Sequence, residues 1–345
     1  MENKERILTG MRPTGSLHLG HYVGALENWV KLQEQYNCHF LIADYQAFGD
    51  YADNISKIKD SVIQVAMDWL SVGLDPEKTT FVVQSYIPEH AELAMLLSMI
   101  TPKGMIDRNP TLKAEMERQK DVTLGFYNYP CSQIADILLP KANLVPVGED
   151  QLPHIELTRE IARKFNRMYG RVFPIPEALI GRVGRLVGID GKVKMSKSLG
   201  NCIYLSDTPE VVAKKVNKMF TDPLKVKIDD PGHIEGNVVF TYLDAFYPNE
   251  KELDDIKKGY IDGKISNSET KRILTDVLNK FLNPIRDRRL HYMAHPESVR
   301  EALIEGTKKA KKVAEETMME VRDAMNITNY ENIEEIRRVN NLNEI

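Results

Sequence analysis

Two short stretches, far apart in the chain, hold side chains suited to a polyphosphate. Pro13-Thr14-Gly15-Ser16-Leu17-His18-Leu19-Gly20-His21 carries a pair of imidazoles in His-x-Gly-His spacing, and Lys194-Met195-Ser196-Lys197-Ser198 carries a pair of lysines with serines between and after them. The run Ile7-Leu8-Thr9 before the first stretch is apolar or β-branched and ends at Gly10, and an amphipathic pattern opens near Leu17. This order reads as a strand, a tight loop and a helix N-terminus, where free N–H groups and the positive end of the helix dipole favour an anion such as phosphate. The imidazoles add donors on the same side, and Gly20 lets a nucleotide approach closely. Lys194 and Lys197 lie in a loop bounded by Gly191 and Gly200. Lysines on such a loop reach phosphates as point charges, which suits the charge that builds on a leaving pyrophosphate, and Ser196 and Ser198 add hydroxyl donors. His-x-Gly-His alone is a weak signal; the second stretch gives it weight.

Composition narrows the classes before any motif is trusted. A chain of 345 residues with 42% hydrophobic content suggests two domains and a sizeable core. No run approaches the ~18 apolar residues of a membrane span, and Met1 to Arg6 lead into the first strand with no signal-type apolar region, so the expectation is a cytoplasmic protein. Cys38, Cys131 and Cys202 are scattered and show no Cys-x-x-Cys spacing, which points to free thiols rather than disulfides or zinc. A net charge of −4 means that a polyanionic partner must be held by a local basic patch.

The elements that position both stretches alternate between strand and helix. After a helix over 17–36 comes a continuous apolar strand over 39–44, of the sort buried in a parallel sheet. Ile55, Ile58, Val62, Val65, Ala66 and Trp69 mark an amphipathic helix behind the cap candidates Asp53 and Asn54. A third strand over 80–84, a helix over 91–100, a fourth strand over 144–147 and a helix over 150–166 follow. Repeated βαβ units predict an α/β fold, a Rossmann-type doubly wound parallel sheet with its ligand site at the carboxyl ends of the strands.

Residues 101–128 are charged without a clean period and read as an insertion, partly helical, with Arg108, Lys113 and Arg118 as candidate phosphate or partner contacts. From 207 the pattern is nearly all helical, broken by a loop over 221–237, and the last long helix shows one face at Val299, Leu303, Ala310, Val313, Ala314, Thr317, Val321 and Met325. The expected organisation is a catalytic domain over 1–206 and an all-helical domain over 207–345. Lys271, Arg272, Arg286, Arg288, Arg289, Lys308, Lys309, Lys311 and Lys312 are candidates for a phosphate-tracking surface on the helical part.

These residues carry a family resemblance. Pro13 to His21 resembles the HIGH signature and Lys194 to Ser198 the KMSKS signature of class I aminoacyl-tRNA synthetases. Gly10-Met11-Arg12-Pro13-Thr14-Gly15, Ala135-Asp136-Ile137-Leu138, Val145 to Gln151 and His154 to Arg159 resemble the tryptophanyl branch, and the likeness runs over most of the chain. It implies a Rossmann catalytic domain, a helical anticodon-binding domain and a homodimer. It further implies that tryptophan is activated by ATP, with Mg²⁺ on the phosphates and no dedicated metal cage, and then passed to tRNA(Trp). On the resemblance, His18, His21, Lys194 and Lys197 serve the triphosphate. Arg12, Pro13, Thr14, Gly20, Leu186, Met195, Ser196 and Ser198 complete the ATP loops, and Gly148, Glu149 and Asp150 hold adenosine and ribose.

For the amino acid, indole offers a single N–H donor, so a buried acceptor is the discriminating partner. Asp136 fits by type and by its place in the resemblance; Gln133, one turn earlier, is assigned to the ammonium group, Gln151 borders both pockets, and Tyr129 joins the substrate side. Tyrosyl enzymes carry a tyrosine where this chain has Leu8, and an apolar side chain there suits an indole. Many tryptophanyl enzymes carry a histidine where this chain has Gln46. Relatives with an iron–sulfur cluster hold it near the anticodon domain; no cysteine follows Asp244, so neither that cluster nor zinc is expected. Two other classes stay open at this point: a nucleotidyltransferase acting on a small metabolite, and a silent paralogue that senses tryptophan or binds RNA.

Overall fold

The computed structural model describes residues 4–51, 54–117, 121–180, 186–227 and 229–327. Asp53, Arg118 and the last part of the expected helical domain, 328–345, lie outside the described residues. β1 (Arg6–Met11) leads through a loop into α1 (Leu19–His21), a π-helical turn (Tyr22–Leu26) and α2 (Glu27–Leu32). Then come β2 (Asn37–Ile42), α3 (Asp44–Tyr51), α4 (Ile55–Val72), β3 (Thr80–Val83), α5 (Glu89–Ile100), α6 (Lys103–Asp107), α7 (Pro110–Met116) and α8 (Leu124–Leu138). The nucleotide-fold part ends with β4 (Leu144–Val147), α9 (Leu152–Tyr169) and β5 (Glu177–Ile180). The remainder is helical: α10 (Pro209–Asn217), α11 (Val238–Phe246), α12 (Glu250–Ile261), α13 (Asn267–Ala294) and α14 (Pro296–Ala324).

The five strands form one parallel sheet in the order β3-β2-β1-β4-β5. Alternate residues face opposite layers, as the pleat requires. Ile7, Phe40, Ile42, Phe81 and Val83 bury against Trp29 and Trp69 on one side. Leu8, Leu41, Val82 and Val145 bury against α5, α8 and α9 on the other. Trp29 stacks on Phe40 with centroids 4.9 Å apart, and Trp69 meets Phe81 edge-on at 5.4 Å. The strand order reverses at β1 and β4, which is where an open α/β sheet leaves a crevice for its ligand.

The C-terminal helices return to this sheet. Leu274 and Leu278 of α13 and Val299 and Leu303 of α14 join the Trp69 layer, while Ala310, Ala314, Met318 and Val321 join the other. α14 therefore crosses the β3 edge. A Cβ on Gly306 would lie 2.2 Å from the Phe81 carbonyl oxygen, and Thr307 Oγ1 accepts the Val83 N–H at 3.2 Å. An open edge strand is a template for unwanted pairing, and here a helix covers it.

Several expectations need correction. β1 does not stop at Gly10; it runs to Met11, and glycine is needed because a Cβ there would lie 2.3 Å from Leu41 O. The helix expected over 17–36 is divided by the π turn. Asp44 belongs to no strand: it opens α3, and its carboxylate accepts the Ser85 N–H at 2.9 Å. The stretch 101–128, expected to be partly helical, does hold α6, α7 and the start of α8 among its described residues, with Asn109 capping α7 and Pro110 in its first turn. β5 was not expected, because Glu177-Ala178-Leu179-Ile180 is half exposed at a sheet edge and gives no buried run to read. Part of the proposed basic surface is engaged in contacts between elements, with Arg289 mostly buried while Arg272 and Arg288 stay exposed. Arg286 Nε donates to Asp207 O at 2.7 Å, Arg288 to Ser71 O, Arg289 to Asp68 and Lys271 to Asn217 O at 2.9 Å. These side chains join elements; Lys308, Lys309, Lys311 and Lys312 stay exposed on α14.

Candidate active site

The two sequence stretches meet. Lys197 Nζ donates to Gly15 O at 2.7 Å and to Thr14 Oγ1 at 3.2 Å, and a Cβ on Gly20 would lie 3.5 Å from that of Met195. Their backbones are laced together as well: Leu19 N–H donates to Ile203 O at 2.9 Å and Leu205 N–H to Leu17 O at 3.0 Å, a short antiparallel bridge between His18 and Tyr204. The lysine loop has its own frame. Met195 N–H donates to Leu186 O, and Gly188 N–H to Val193 O. Buried Asn201 accepts the Ser196 N–H at 2.8 Å while its amide donates to Asp190. Gly200, at φ +63°, turns the chain after the short 3₁₀ helix Lys197–Leu199.

Burial and mutual repulsion fix the charges here. His18 is pushed down to about 4, chiefly by burial and then by Lys197 and Lys194. His21 is held well below its ordinary value, again mainly by burial, with His18 and both lysines adding to it. Both imidazoles are neutral near pH 7, so they offer N–H donors rather than charge. His21 Nδ1 accepts the His18 N–H at 3.1 Å, which leaves its proton on Nε2, directed away from that bond. Burial also draws Lys197 down to about 8, opposed by the charge of Asp68. The site's cations are therefore the lysines and Arg12.

A cavity of about 350 Å³ opens at the strand reversal, lined by Leu8 to Arg12 of β1 and the chain beyond it, Gly24, Ala25 and Asn28 of the helical stretch, Val145 to Gly148, Gln151, Gln46, Gln133 and Asp136. β1 and β4 pair at Ile7↔Leu144, below the cavity, and Pro146 has no N–H with which to extend the ladder. Asp136, 3% exposed, stands in the wall. Its Oδ2 accepts Gln46 Nε2 at 2.8 Å, and its Oδ1 accepts Gln84 Nε2 at 2.7 Å. His90 Nδ1 lies 2.9 Å from the same Oδ1, close enough for an ion pair but off the line of a good hydrogen bond. Gln84 is itself oriented, since its Oε1 accepts the Tyr45 N–H at 3.1 Å.

Not every expected residue reaches this cavity. Tyr129 lines a neighbouring space of about 470 Å³ that shares Arg12, Gln46, Gln133 and Gln151 with the first. Its hydroxyl donates to Glu115 at 2.6 Å and contacts His154 at 3.1 Å. Glu149 and Asp150 are exposed on a short 3₁₀ turn and do not line the first cavity, whereas Gly148 and Gln151 on either side of them do. Leu186 is buried and acts through its backbone on Met195. Lys194 is exposed on the same loop as Lys197, and the Ser196 and Ser198 hydroxyls lie 3.0 Å apart. Among the described residues no group of three or more His, Cys, Asp or Glu is placed to hold a metal ion.

Comparison with known proteins matches this geometry to a family. The family described as "tRNA synthetases class I (W and Y)" matches residues 1–283. The tryptophan–tRNA ligase of Clostridium longisporum is 48% identical over 338 residues, 96% of this chain and 99% of that protein. That of Streptococcus pyogenes serotype M3 is 49% identical, covering 95% and 99%. The tryptophanyl-tRNA synthetase of Campylobacter jejuni, solved with ADP and tryptophan, superposes with a TM-score of 0.85 at 32% identity over 93% of this chain and 100% of that one. The chain belongs to the class I tRNA synthetases of the W and Y group. A class I synthetase must bring an amino-acid carboxylate to a nucleotide phosphate; here Arg12 lines the cavity and the chain runs on from it through Pro13 to the Thr14 and Gly15 that Lys197 contacts, while His18, His21, Lys194 and Lys197 do not themselves line the cavity. Sequence reasoning missed Gln84, His90 and Asn201 in this synthetase. Each is an isolated polar residue far along the chain from its partner, and no spacing rule marks it.

Proposed function

We infer that the chain activates L-tryptophan with ATP, forming tryptophanyl-adenylate and pyrophosphate, and transfers the tryptophanyl group to the 3′ end of tRNA(Trp) with release of AMP. It is a ligase. The observation that carries this reading is the contact of Lys197 with Thr14 and Gly15 beside a cavity walled by Asp136, in a chain close to half identical to tryptophan–tRNA ligases over nearly its full length.

The tryptophan carboxylate is already ionised at neutral pH, so no protein base is needed for attack on the α-phosphorus. Positioning and charge stabilisation remain. Arg12, Pro13, Thr14, Gly20, Met195, Ser196 and Ser198 shape the ATP loops. His18 and His21 give neutral N–H donors, while Lys194 and Lys197 neutralise charge on the departing pyrophosphate. Gly148, Glu149 and Asp150 take the adenosine, and Mg²⁺ arrives on ATP as part of the substrate. Asp136 accepts the indole N–H. Leu8 packs on the ring, Gln46 orients Asp136, and Gln133, Gln151 and Tyr129 face the amino-acid backbone. Residues 1–206 form the catalytic domain and 207–345 the anticodon-binding one, joined through α4 and β3. The working form is a cytoplasmic homodimer.

The test is ATP–pyrophosphate exchange with purified protein across all amino acids, followed by charging of tRNA. Exchange with tryptophan alone supports the reading. Exchange with tyrosine instead overturns the specificity and leaves the fold standing, and tryptophan binding without exchange overturns catalysis.

A further inference from the structure

One buried carboxylate beside the ATP loops has no part in the chemistry above. Asp68 sits on α4 at 0% exposure. Its Oδ2 accepts the Leu17 N–H at 2.7 Å, and its Oδ1 accepts Arg289 Nε at 2.9 Å, from α13 in the helical C-terminal part. Leu17 immediately precedes His18, and its own carbonyl accepts the Leu205 N–H. The Leu17 peptide is thus gripped on both sides. Arg289 is only 11% exposed and also donates to Gln64 Oε1, while its neighbour Arg288 donates to Ser71 O on the same α4.

Stability alone does not explain such a pair. Replacing a buried ion pair by well-packed apolar residues is often neutral or stabilising, so the charge needs another reason to be there. The loop after β1 turns the Leu17 N–H into the core, where an apolar neighbour at position 68 would leave it without an acceptor. Burial raises the Asp68 carboxyl, and the Leu17 N–H, Arg289 and Lys197 each pull it back down. In return Asp68 is the largest influence that keeps Lys197 protonated.

We propose that Asp68 is a positioning residue for ATP: it fixes Leu17, and with it the His18 and His21 donors, while Arg289 is the counter-charge that lets a carboxylate stand there. The inference rests on reading the 13–21 loop as an ATP loop. It places one determinant of nucleotide binding on the contact between α4 and α13, outside both sequence signatures.

The experiment is ATP–pyrophosphate exchange and thermal unfolding of full-length D68N, D68L, R289L, D68L/R289L and, as a control on the underlying reading, H21A. Breaking one side of the pair lowers Tm in D68L and R289L; the double apolar variant regains the part lost to the unpaired charge, but not the part lost by leaving the Leu17 N–H without an acceptor. The KM for ATP is expected to rise at least fivefold in D68L and to stay raised in D68L/R289L, with the KM for tryptophan within twofold of the parent. D68N, whose amide oxygen still accepts the Leu17 N–H, recovers most of the ATP KM. Return of the ATP KM to the parent value in D68L/R289L, or a parallel rise in both KM values, shows a merely structural role and overturns the proposal. If H21A leaves the ATP KM unchanged, the reading of the loop fails first; if H21A raises it and D68L/R289L does not, only the role of Asp68 falls. Should D68L not fold, D68N and the double variant decide the matter.

Discussion

Replacing Asp136 with alanine tests the indole pocket most directly. The carboxylate faces the Gln46 and Gln84 amides at 2.8 and 2.7 Å and the His90 ring at 2.9 Å. Its removal leaves the two amide donors facing a void, at about 1–3 kcal/mol for each one left unsatisfied, so D136A is expected to lose about 2 kcal/mol of stability or more. Binding suffers separately. A hydrogen bond to a charged group contributes about 1.5–3 kcal/mol, which predicts a fall of roughly 10- to 150-fold in kcat/KM for tryptophan. The two effects are separated with an analogue in which sulfur replaces the indole N–H. The parent enzyme should discriminate against it by that same factor, and D136A should treat both ligands nearly alike, because the partner of the N–H is gone. The assay is pyrophosphate exchange with each amino acid, at a temperature where thermal unfolding shows the variant folded. If D136A loses activity equally with both ligands, so that the discrimination of the parent persists, Asp136 does not read the indole nitrogen and the assignment is wrong.

Lys197 acts as a cation and its value lies near 8, so kcat/KM for ATP should fall as pH rises through about 8, and K197R should move that limb upward; a limb unmoved in K197R refutes the assignment. The sign for stability is opposite: between about 8 and 10.5 the unfolded chain holds more protons than the folded one, so this group adds stability as pH rises through that window. N201A removes the acceptor for Ser196 N–H and the tie to Asp190; a loss of about 1–2 kcal/mol, or roughly 5- to 30-fold in kcat/KM for ATP, is expected with tryptophan binding unchanged, as read by fluorescence titration. G306A puts a Cβ 2.2 Å from Phe81 O. Overpacking of this kind costs about 1–3 kcal/mol, so its Tm should drop while KM for both substrates holds, a result that equal stability would contradict.

The sequence by itself determined the frame and the chemistry. Apolar runs such as those around Phe40 and Phe81 are continuous because a parallel strand is covered on both faces, and this was legible without any contact map. The spacing of His18 and His21 and the paired lysines named the phosphate handlers, because each cluster is local in the chain. β5 escaped notice since an edge strand buries too little to show a pattern, and α3 because Asp44 follows an apolar run without a break. Arg289 of α13 could not be told from its exposed neighbours Arg272 and Arg288 for a further reason: charge in a sequence says nothing of whether an arginine meets water or a buried partner such as Asp68. What only the tertiary structure decided are the meetings of distant residues. Asp136 is held by side chains from α3 and α5 and from the turn after β3, and Lys197 closes on Thr14 from far along the chain. Hydrogen bonds of that kind are set by where whole elements pack, and packing depends on shape across the core rather than on any pattern along the chain.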